Sequence, residues 1–325
     1  MQLPRVLVLA IVKNEIATIS ECVSSILSQT IPCQVLFSDN YSDDGTYEFL
    51  KEVADKNDNF HVMRPDSEIS IIGHFQILVK CTSDLYQDIP YRILIGGDDA
   101  YEERNLLEVL LLQMEKMTKL KIDSVITLPS IRLLNCARPT MSKKLSSIKF
   151  IDSKISVTRV IGLSLVPFSM GYFNLVLGMM TRDEFKYWSD TLISAHEEKD
   201  FVLNAKRNTK PEYFAILKLL FRSRINMNSS VTLLKRQHNR DSDGNRSYES
   251  KTKNFHVKSK IRHFRFVLRS QIHSSTQLLS SVLKYRKDFN RWELLIAFMA
   301  GFIAPITNML HLLWSRFFSR PDHQL

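Results

Sequence analysis

The sequence predicts an α/β fold, a doubly wound, mostly parallel sheet flanked by helices, with a helical C-terminal extension. Two observations predict it. Short apolar runs rich in β-branched residues recur at Val6–Val12, Gln34–Ser38, Phe60–Met63 and Tyr91–Ile95. An unbroken apolar strand is one covered on both faces, as in a parallel sheet. Between these runs, apolar residues return at helical spacing, so strands and helices alternate along the chain.

The elements follow in order. Val6–Val12 gives way to Lys13-Asn14-Glu15. Thr18 and Glu21 have the spacing of a capping box, and Ile19, Cys22, Val23, Ile26 and Leu27 then form one helical face. Gln34–Ser38 runs into the polar loop Asp39–Thr46, and Tyr47, Leu50, Val53 and Ala54 share a face of the next helix. Phe60–Met63 is a strand and Ile71–Leu85 a helix crossing back. Tyr91–Ile95 leads straight into Gly96-Gly97-Asp98-Asp99. Glu103–Met117 is a leucine-rich helix expected to pack on the sheet, and Ser124–Leu128 a further strand. Met141–Ser156 is polar and basic and yields no assignment. Gly171–Met180 reads as extended, with a helix from about Thr181. His196–Asp200 opens another helix through Phe201, Leu203 and Ala205. Lys235–Lys253 is the most polar stretch, with Asp241–Asn245 as a loop tip, and is expected to be mobile.

The chain has 325 residues, 44% hydrophobic and 24% charged, enough for one large domain with an appendage and too apolar for bulk disorder. Its formal net charge is +10, concentrated in Lys235–Arg291. Such a basic third suits a solvated face or an anionic partner equally well. No nucleic-acid motif accompanies it and aromatic platforms do not interleave the basic residues, so no nucleic-acid partner is expected. The four cysteines, Cys22, Cys33, Cys81 and Cys136, form no CxxC pair and no zinc spacing. They are expected to be reduced thiols in the cytoplasm. The short first apolar run lacks a basic region before it, so no signal peptide is expected.

Asp98 and Asp99 carry the strongest chemical signal. Adjacent carboxylates after a buried strand repel each other and are costly to desolvate. A divalent cation, Mg2+ or Mn2+ by its preference for hard oxygen ligands, would offset both costs. The competing reading is a turn in which Asp98 caps a helix starting near Glu102. Asp39 ends another strand of the same sheet, where ligands of such sheets bind. Alone it would read as an Asx turn.

These segments resemble the family 2 glycosyltransferases, which have the GT-A fold. Leu7–Glu15 looks like the family's opening strand and asparagine-glutamate turn, and Ser24–Gln29 like the helix end that follows. Ser38–Thr46 is similar to its D-x-S-x-D-G-T loop, and Gly96–Asp99 stands in the place of its acidic motif. The resemblance implies a nucleotide site lined by the backbone at Ala10 and Val12 and by Glu15. Asp39 would hold the base, expected to be uracil. Asp98 would contact ribose or metal, and Asp99 the metal. Gly178–Phe185 resembles the segment shaping the acceptor side. Glu197–Phe201 resembles an E-D-x-D-[LF] motif, in which Glu198 would be the catalytic base, with Glu197 and Asp200 as competitors. Arg236 would contact the diphosphate and His238 would supply a metal ligand or a phosphate contact, unless both belong to a solvated loop. Two departures stand out: Ile72-Gly73-His74-Phe75-Gln76 replaces the family's asparagine-containing segment, and Gly96 replaces the first acid of the longer acidic motif. The Q-x-x-R-W signature of processive synthases is absent after Asp200, which favours one sugar added per encounter.

The resemblance thus implies a metal-dependent, inverting transferase moving a sugar from a nucleotide-sugar donor to a glycan or lipid-linked acceptor in surface-polysaccharide synthesis. A nucleotidyltransferase is the alternative enzyme, but Lys13-Asn14-Glu15 is no glycine-rich loop. A catalytically silent nucleotide-sugar binder is another alternative. Residues 1–250 are expected to form the catalytic domain, with its nucleotide half over about 1–120 and its acceptor half over about 121–250. Residues 251–325 would form the extension. There Leu294–Trp314 lacks Lys, Arg, Asp and Glu and is bracketed by Trp292 and Trp314. Pro305, Asn308 and His311 speak against a span and for an in-plane or re-entrant arrangement at the cytoplasmic face of the inner membrane. A buried helix is the competing reading.

Overall fold

The computed structural model describes residues 3–121, 124–134, 178–194, 224–236, 239–240 and 246–247. In the C-terminal part it describes 276, 279–280, 282–299, 301–302 and 306. The elements of the first part are β1 (Val6–Val12), α1 (Ile19–Leu27), β2 (Cys33–Asp39), α2 (Thr46–Lys56), β3 (Phe60–Met63), α3 (Ile71–Leu85), β4 (Tyr91–Gly96), β5 (Asp99–Tyr101) and α4 (Leu106–Thr118). Beyond them come β6 (Ser124–Leu134), β7 (Gly178–Thr181), α5 (Arg182–Ser194), β8 (Arg224–Arg236), β9 (Asn239–Arg240) and β10 (Arg246–Ser247). Eight strands form one sheet in the order β3-β2-β1-β4-β7-β6-β8-β5. β1 is parallel to β2 on one side and to β4 on the other, and β2 is parallel to β3. β7 runs antiparallel to β4 and β6, whereas β8 is parallel to β6.

Alternation along β1 divides the core into two layers. Val6, Val8, Ala10 and Val12 pack with Ile19, Val23 and Ile26 of α1, Leu50 of α2 and Leu106, Leu107 and Leu110 of α4. Leu7 and Leu9 face the other way, towards Leu78 of α3 and Phe185, Trp188 and Leu192 of α5. This two-faced burial is why the strand is apolar at every position from Val6 to Val12. Phe37 of β2 stacks on Phe60 of β3 with ring centroids 5.1 Å apart. Among the described residues the one buried large cation, Arg92, is 1% exposed. Its guanidinium donates to the carbonyls of Ile89 and, at 2.7 Å, Tyr86, tying down the α3–β4 connection. Burial lowers its pKa to about 10, leaving it charged at neutral pH.

Four local expectations are corrected. Thr18 precedes α1 but makes no side-chain capping bond. Its hydroxyl lies 3.2 Å from the Glu15 carbonyl and 3.4 Å from that of Gly97, buried acceptors that outcompete the helix end. Asp98 does not cap a helix near Glu102. Asp99–Tyr101 is instead a strand antiparallel to β8, and the leucine-rich helix begins at Leu106 behind Asn105 rather than at Glu103. That pairing joins residues over a hundred positions apart in sequence, so no local pattern announces it. Finally, Lys235–Lys253 is not uniformly a loop: β8 runs to Arg236, and β9 pairs antiparallel with β10. Asp241–Asn245 fall between those two strands, outside the described residues, as do Met141–Ser156 and Cys136.

Phe37 is fully buried beneath the strand end that carries Asp39. Phe37→Ala is expected to destabilise the fold by about 3–5 kcal/mol, the usual cost of emptying an aromatic site. Urea unfolding of the variant beside wild type measures it.

Candidate active site

Because β2, β1 and β4 are parallel and in register, their carboxyl ends meet at one edge. Val12 pairs with Asp39 and Ile11 with Gly96, so Asp39 and the Gly96–Asp99 turn flank β1 from opposite sides. Two strand spacings separate them, on the order of 10 Å.

Two loops between strand and helix are laced together along this edge. Asn14, at φ 53°, accepts from the amide of Asp43 through its Oδ1 at 3.1 Å, and its own amide donates to Ser42 Oγ at 2.9 Å. The Glu15 amide donates to Thr46 Oγ1 at 2.9 Å and the Ile16 amide to Asp44 Oδ2 at 3.1 Å. Asp44 Oδ1 also receives the Thr46 hydroxyl at 2.6 Å. Gly45, at φ 94°, makes the turn into α2, a conformation costly for a side chain with Cβ. The D-N-Y-S-D-D-G-T sequence is therefore a set of donors and acceptors matched to the loop across from it.

Asp39 has no exposed surface. Its Oδ2 accepts from the Ser42 amide at 2.9 Å and lies 3.3 Å from Arg64 Nε. Its Oδ1 has no hydrogen-bond partner among the described residues. A buried carboxylate oxygen left without a donor is costly, and such atoms call for an explanation. Arg64, just after β3, lies between two tyrosines, its guanidinium carbon 4.5 Å from the ring centres of both Tyr41 and Tyr47. Its Nη2 also donates to the Ser42 carbonyl at 2.5 Å. The sequence reading did not find Arg64; one basic residue after a short strand is no signal until the fold brings it to Asp39.

Across β1, a Cβ placed on Gly96 would stand 2.8 Å from Asp98 Oδ1 and 3.2 Å from Asp99 Oδ2. Both carboxylates thus close on the space that a side chain at 96 would fill. This accounts for glycine where the longer family motif has an acid. Gly97 is equally constrained: a Cβ there would come within 2.6 Å of Val12 Cγ1. Asp99 is 3% exposed and Glu15 2%. Beside them the Cys22 thiol lies 3.5 Å from the Gly96 carbonyl. Burial, with Asp99, Asp98 and Glu15 around it, pushes its pKa well above the ordinary value, so it stays a thiol and not a nucleophile. Tyr101 is raised in the same way, by burial first.

The sequence-predicted residues fall as follows. Asp39, Asp98, Asp99, Glu15 and the end of β1 at Val12 share this edge. Ala10 lies deeper, fully buried in the core, and the Val12 carbonyl accepts from the Asn40 amide at 2.8 Å. Asp99 pairs with Lys235 across the β5–β8 ladder, and Arg236 is the next and last residue of β8. Glu197, Glu198, Asp200 and His238 lie outside the described residues. Two neighbouring carboxylates with hard oxygen atoms suit Mg2+ or Mn2+. Among the described residues no third His, Cys, Asp or Glu joins them as a ligand group.

Comparison with known proteins agrees with this geometry. Residues 7–128 match the family model described as glycosyl transferase family 2. No curated protein sequence matches. Among solved structures, S. aureus TarS 1–349 in complex with UDP-GlcNAc is 12% identical, with 97% of this chain and 76% of that chain covered at a TM-score of 0.53. The mannosyltransferase PcManGT from Pyrobaculum calidifontis, in complex with GDP-Man and Mn2+, is 13% identical over 98% of this chain and 77% of that one, with a TM-score of 0.51. At these identities the likeness concerns the fold. Sheet, strand-end acids and matched segment together define a glycosyltransferase of the GT-A fold. Residues 7–128 carry the match to glycosyl transferase family 2.

His74 occupies the departure at the start of α3. It has no exposed surface, and its Nε2 lies 2.5 Å from Ser38 Oγ, one residue before Asp39. Burial lowers its pKa from 6.5 to about 4. The unfolded chain then binds a proton that the folded chain refuses. Stability is therefore full above pH about 6.5 and falls as pH drops towards 4, by about 3 kcal/mol in total from this group. His74→Gln, which keeps a hydrogen-bonding partner for Ser38, is expected to flatten that part of the stability–pH curve measured by denaturant unfolding.

Proposed function

We propose that the chain transfers a sugar from a uridine-diphosphate sugar to a hydroxyl of a glycan or lipid-linked acceptor in surface-polysaccharide synthesis, with inversion and one sugar per encounter. The observation that carries this reading is the pairing of Asp39, with one buried carboxylate oxygen that has no donor among the described residues, with two carboxylates at Asp98 and Asp99 along one sheet edge. A nucleoside laid across the end of β1 would place its base at the first and its diphosphate at the second.

Uracil is supported by the state of Asp39. With Oδ2 taken by Ser42 and faced by Arg64, one oxygen remains to accept one N–H. Uracil offers a single N3–H beside carbonyl oxygens, which the Arg64 guanidinium beside Asp39 would meet. Guanine offers two adjacent donors and would leave one unmet.

The acids at 98 and 99 would hold the metal, Asp99 as the more buried ligand and Asp98 reaching also towards ribose, with His238 as a candidate third ligand. Mn2+ or Mg2+ bound there would stabilise the negative charge gathering on the departing diphosphate. Glu15 and the backbone of Ala10 and Val12 would border the nucleoside, and Arg236 would supply positive charge to the diphosphate. A carboxylate from Glu198, with Glu197 or Asp200 as the alternatives, would take the proton of the acceptor hydroxyl as its oxygen attacks the anomeric carbon. In an inverting transfer the base would stand on the face opposite the leaving diphosphate, and inversion is what the family resemblance implies. Residues 1–250 would house this chemistry, with donor and acceptor halves meeting near residue 120. Residues 251–325 would hold the enzyme at the cytoplasmic membrane face.

Two measurements test the reading. Thermal stabilisation by UDP-sugars in the presence of Mn2+, exceeding that by GDP-sugars, is expected from specific binding. Greater stabilisation by GDP-sugars would overturn the uracil assignment. Asp99→Ala is expected to lower transfer by at least about 100-fold, the scale of losing one electrostatic catalytic group, with an unchanged far-UV spectrum. Undiminished transfer in a folded Asp99→Ala protein would overturn the metal assignment. Gly96→Ala is expected to weaken Mn2+-dependent stabilisation by UDP-sugar, because its methyl group displaces both carboxylates.

A further inference from the structure

We propose that the C-terminal segment around residues 291–306 lies in the plane of an anionic lipid surface, docked through one narrow apolar stripe with a cationic collar at its start. The inference does not depend on the chemistry at Asp98 and Asp99.

Residues 291–299, 301–302 and 306 are helical. The start is fixed by a reciprocal box that the sequence reading did not identify. The Glu293 amide donates to Asn290 Oδ1 at 2.9 Å, and the Asn290 amide donates to Glu293 Oε2 at 3.0 Å. From that start, five large apolar side chains face outward: Trp292 at 73% exposure, Leu295 at 49%, Met299 at 44%, Phe302 at 64% and Ile306 at 58%. From Trp292 to Phe302 the spacing alternates three and four, so at the helical repeat these four fall within an arc of about 80°. Ile296, Ala297 and Gly301 fall outside that arc and are buried. The segment therefore has one buried apolar face and a second, made of its largest side chains, that is exposed.

Charge decides what covers the second face. Lys284, Arg286, Lys287 and Arg291 are all exposed at the start of the stripe; with Asp288 and Glu293 among them, residues 284–293 carry four cations against two acids, a net charge of +2. No Lys, Arg, Asp or Glu occurs from 294 to 306. A seam built for a second helix normally carries charged flanks that set register and partner; this one carries none along its length. Four cations gathered at one end and a tryptophan beside them fit a bilayer with anionic headgroups. The apolar side chains would enter the acyl boundary while the basic collar stays among the headgroups. Among the described residues no helix is long and apolar enough to cross a membrane.

The test uses the full chain and vesicles of phosphatidylcholine alone or with 30 mol% phosphatidylglycerol, read by co-sedimentation. Light scattering gives the oligomeric state in parallel. At least tenfold tighter partition onto the anionic vesicles is expected, lost on raising salt. Phe302→Glu is expected to reduce partition at least tenfold on both compositions, while Trp292→Phe retains it. Replacing Arg286, Lys287 and Arg291 together by Ser is expected to remove the preference for anionic vesicles. Stabilisation by UDP-sugar, unchanged in these variants, reports that the catalytic part remains folded. Wild-type protein that ignores vesicles, or binds both compositions alike, would overturn the proposal. So would a dimer that Phe302→Glu dissolves without any effect on vesicle binding, since the stripe would then belong to a second copy.

Discussion

Everything at the candidate site depends on β1 being hydrogen-bonded on both sides by strands that run in its own direction. Val12 is held level with Asp39 and Ile11 level with Gly96. No side chain from Val6 to Ala10 is exposed to solvent. A strand buried on two faces and paired on two edges has nowhere to slide. A one-residue slip would turn Val6, Val8 and Ala10 towards the layer that now receives Leu7 and Leu9. Core packing thus fixes the separation of Asp39 from Asp98 and Asp99, and the acids inherit a geometry that they do not themselves stabilise.

The polar edge is costly to maintain, and the chain compensates locally. The loops after β1 and β2 exchange hydrogen bonds through Asn14, Ser42, Asp44 and Thr46, so that backbone amides with no ladder partner are still satisfied. Arg64, between Tyr41 and Tyr47, sets a positive charge beside buried Asp39 and orders the ring of a residue at positive φ. On the other side of β1 the compensation is spatial. Two consecutive glycines let Val12, Glu15 and the two aspartates approach a backbone that any side chain would hold away. Neutral His74 beneath Ser38 supports the same edge from the α3 layer.

Much of this was legible beforehand. Continuous apolar runs identified β1 to β4 within a residue or so of their ends, because burial on both faces writes itself directly into composition. Ile71–Leu85 coincides with α3 because its periodicity is unbroken and Ser70 stands before it, accepting from the Gly73 amide at 3.2 Å. Asp39, Asp98 and Asp99 were legible as acids at the ends of apolar strands, and the parallel register of β2, β1 and β4 brings them to one edge. Expectations failed where local rules met tertiary competition. Thr18 had the spacing of a cap but found buried carbonyls. Asp98 had the look of a helix cap, yet the residues after it joined a strand from the far end of the domain. The polar stretch after Lys235 looked loop-like, yet it contains β9 and β10, whose side chains give no apolar alternation to read.

By itself, then, the sequence determined which segments are buried strands, which face of each helix is apolar, and which acids stand at strand ends, since each follows from neighbours within a few positions. Only the tertiary structure decided that Arg64 meets Asp39, that Gly96 leaves room for two carboxylates, that β8 returns beside Asp99, and that Trp292, Leu295, Met299, Phe302 and Ile306 are exposed while Ile296 and Ala297 are buried. These are contacts between distant parts of the chain. Their energy resides in packing and desolvation around each pair, and the order of residues along the chain does not encode that separately from the fold.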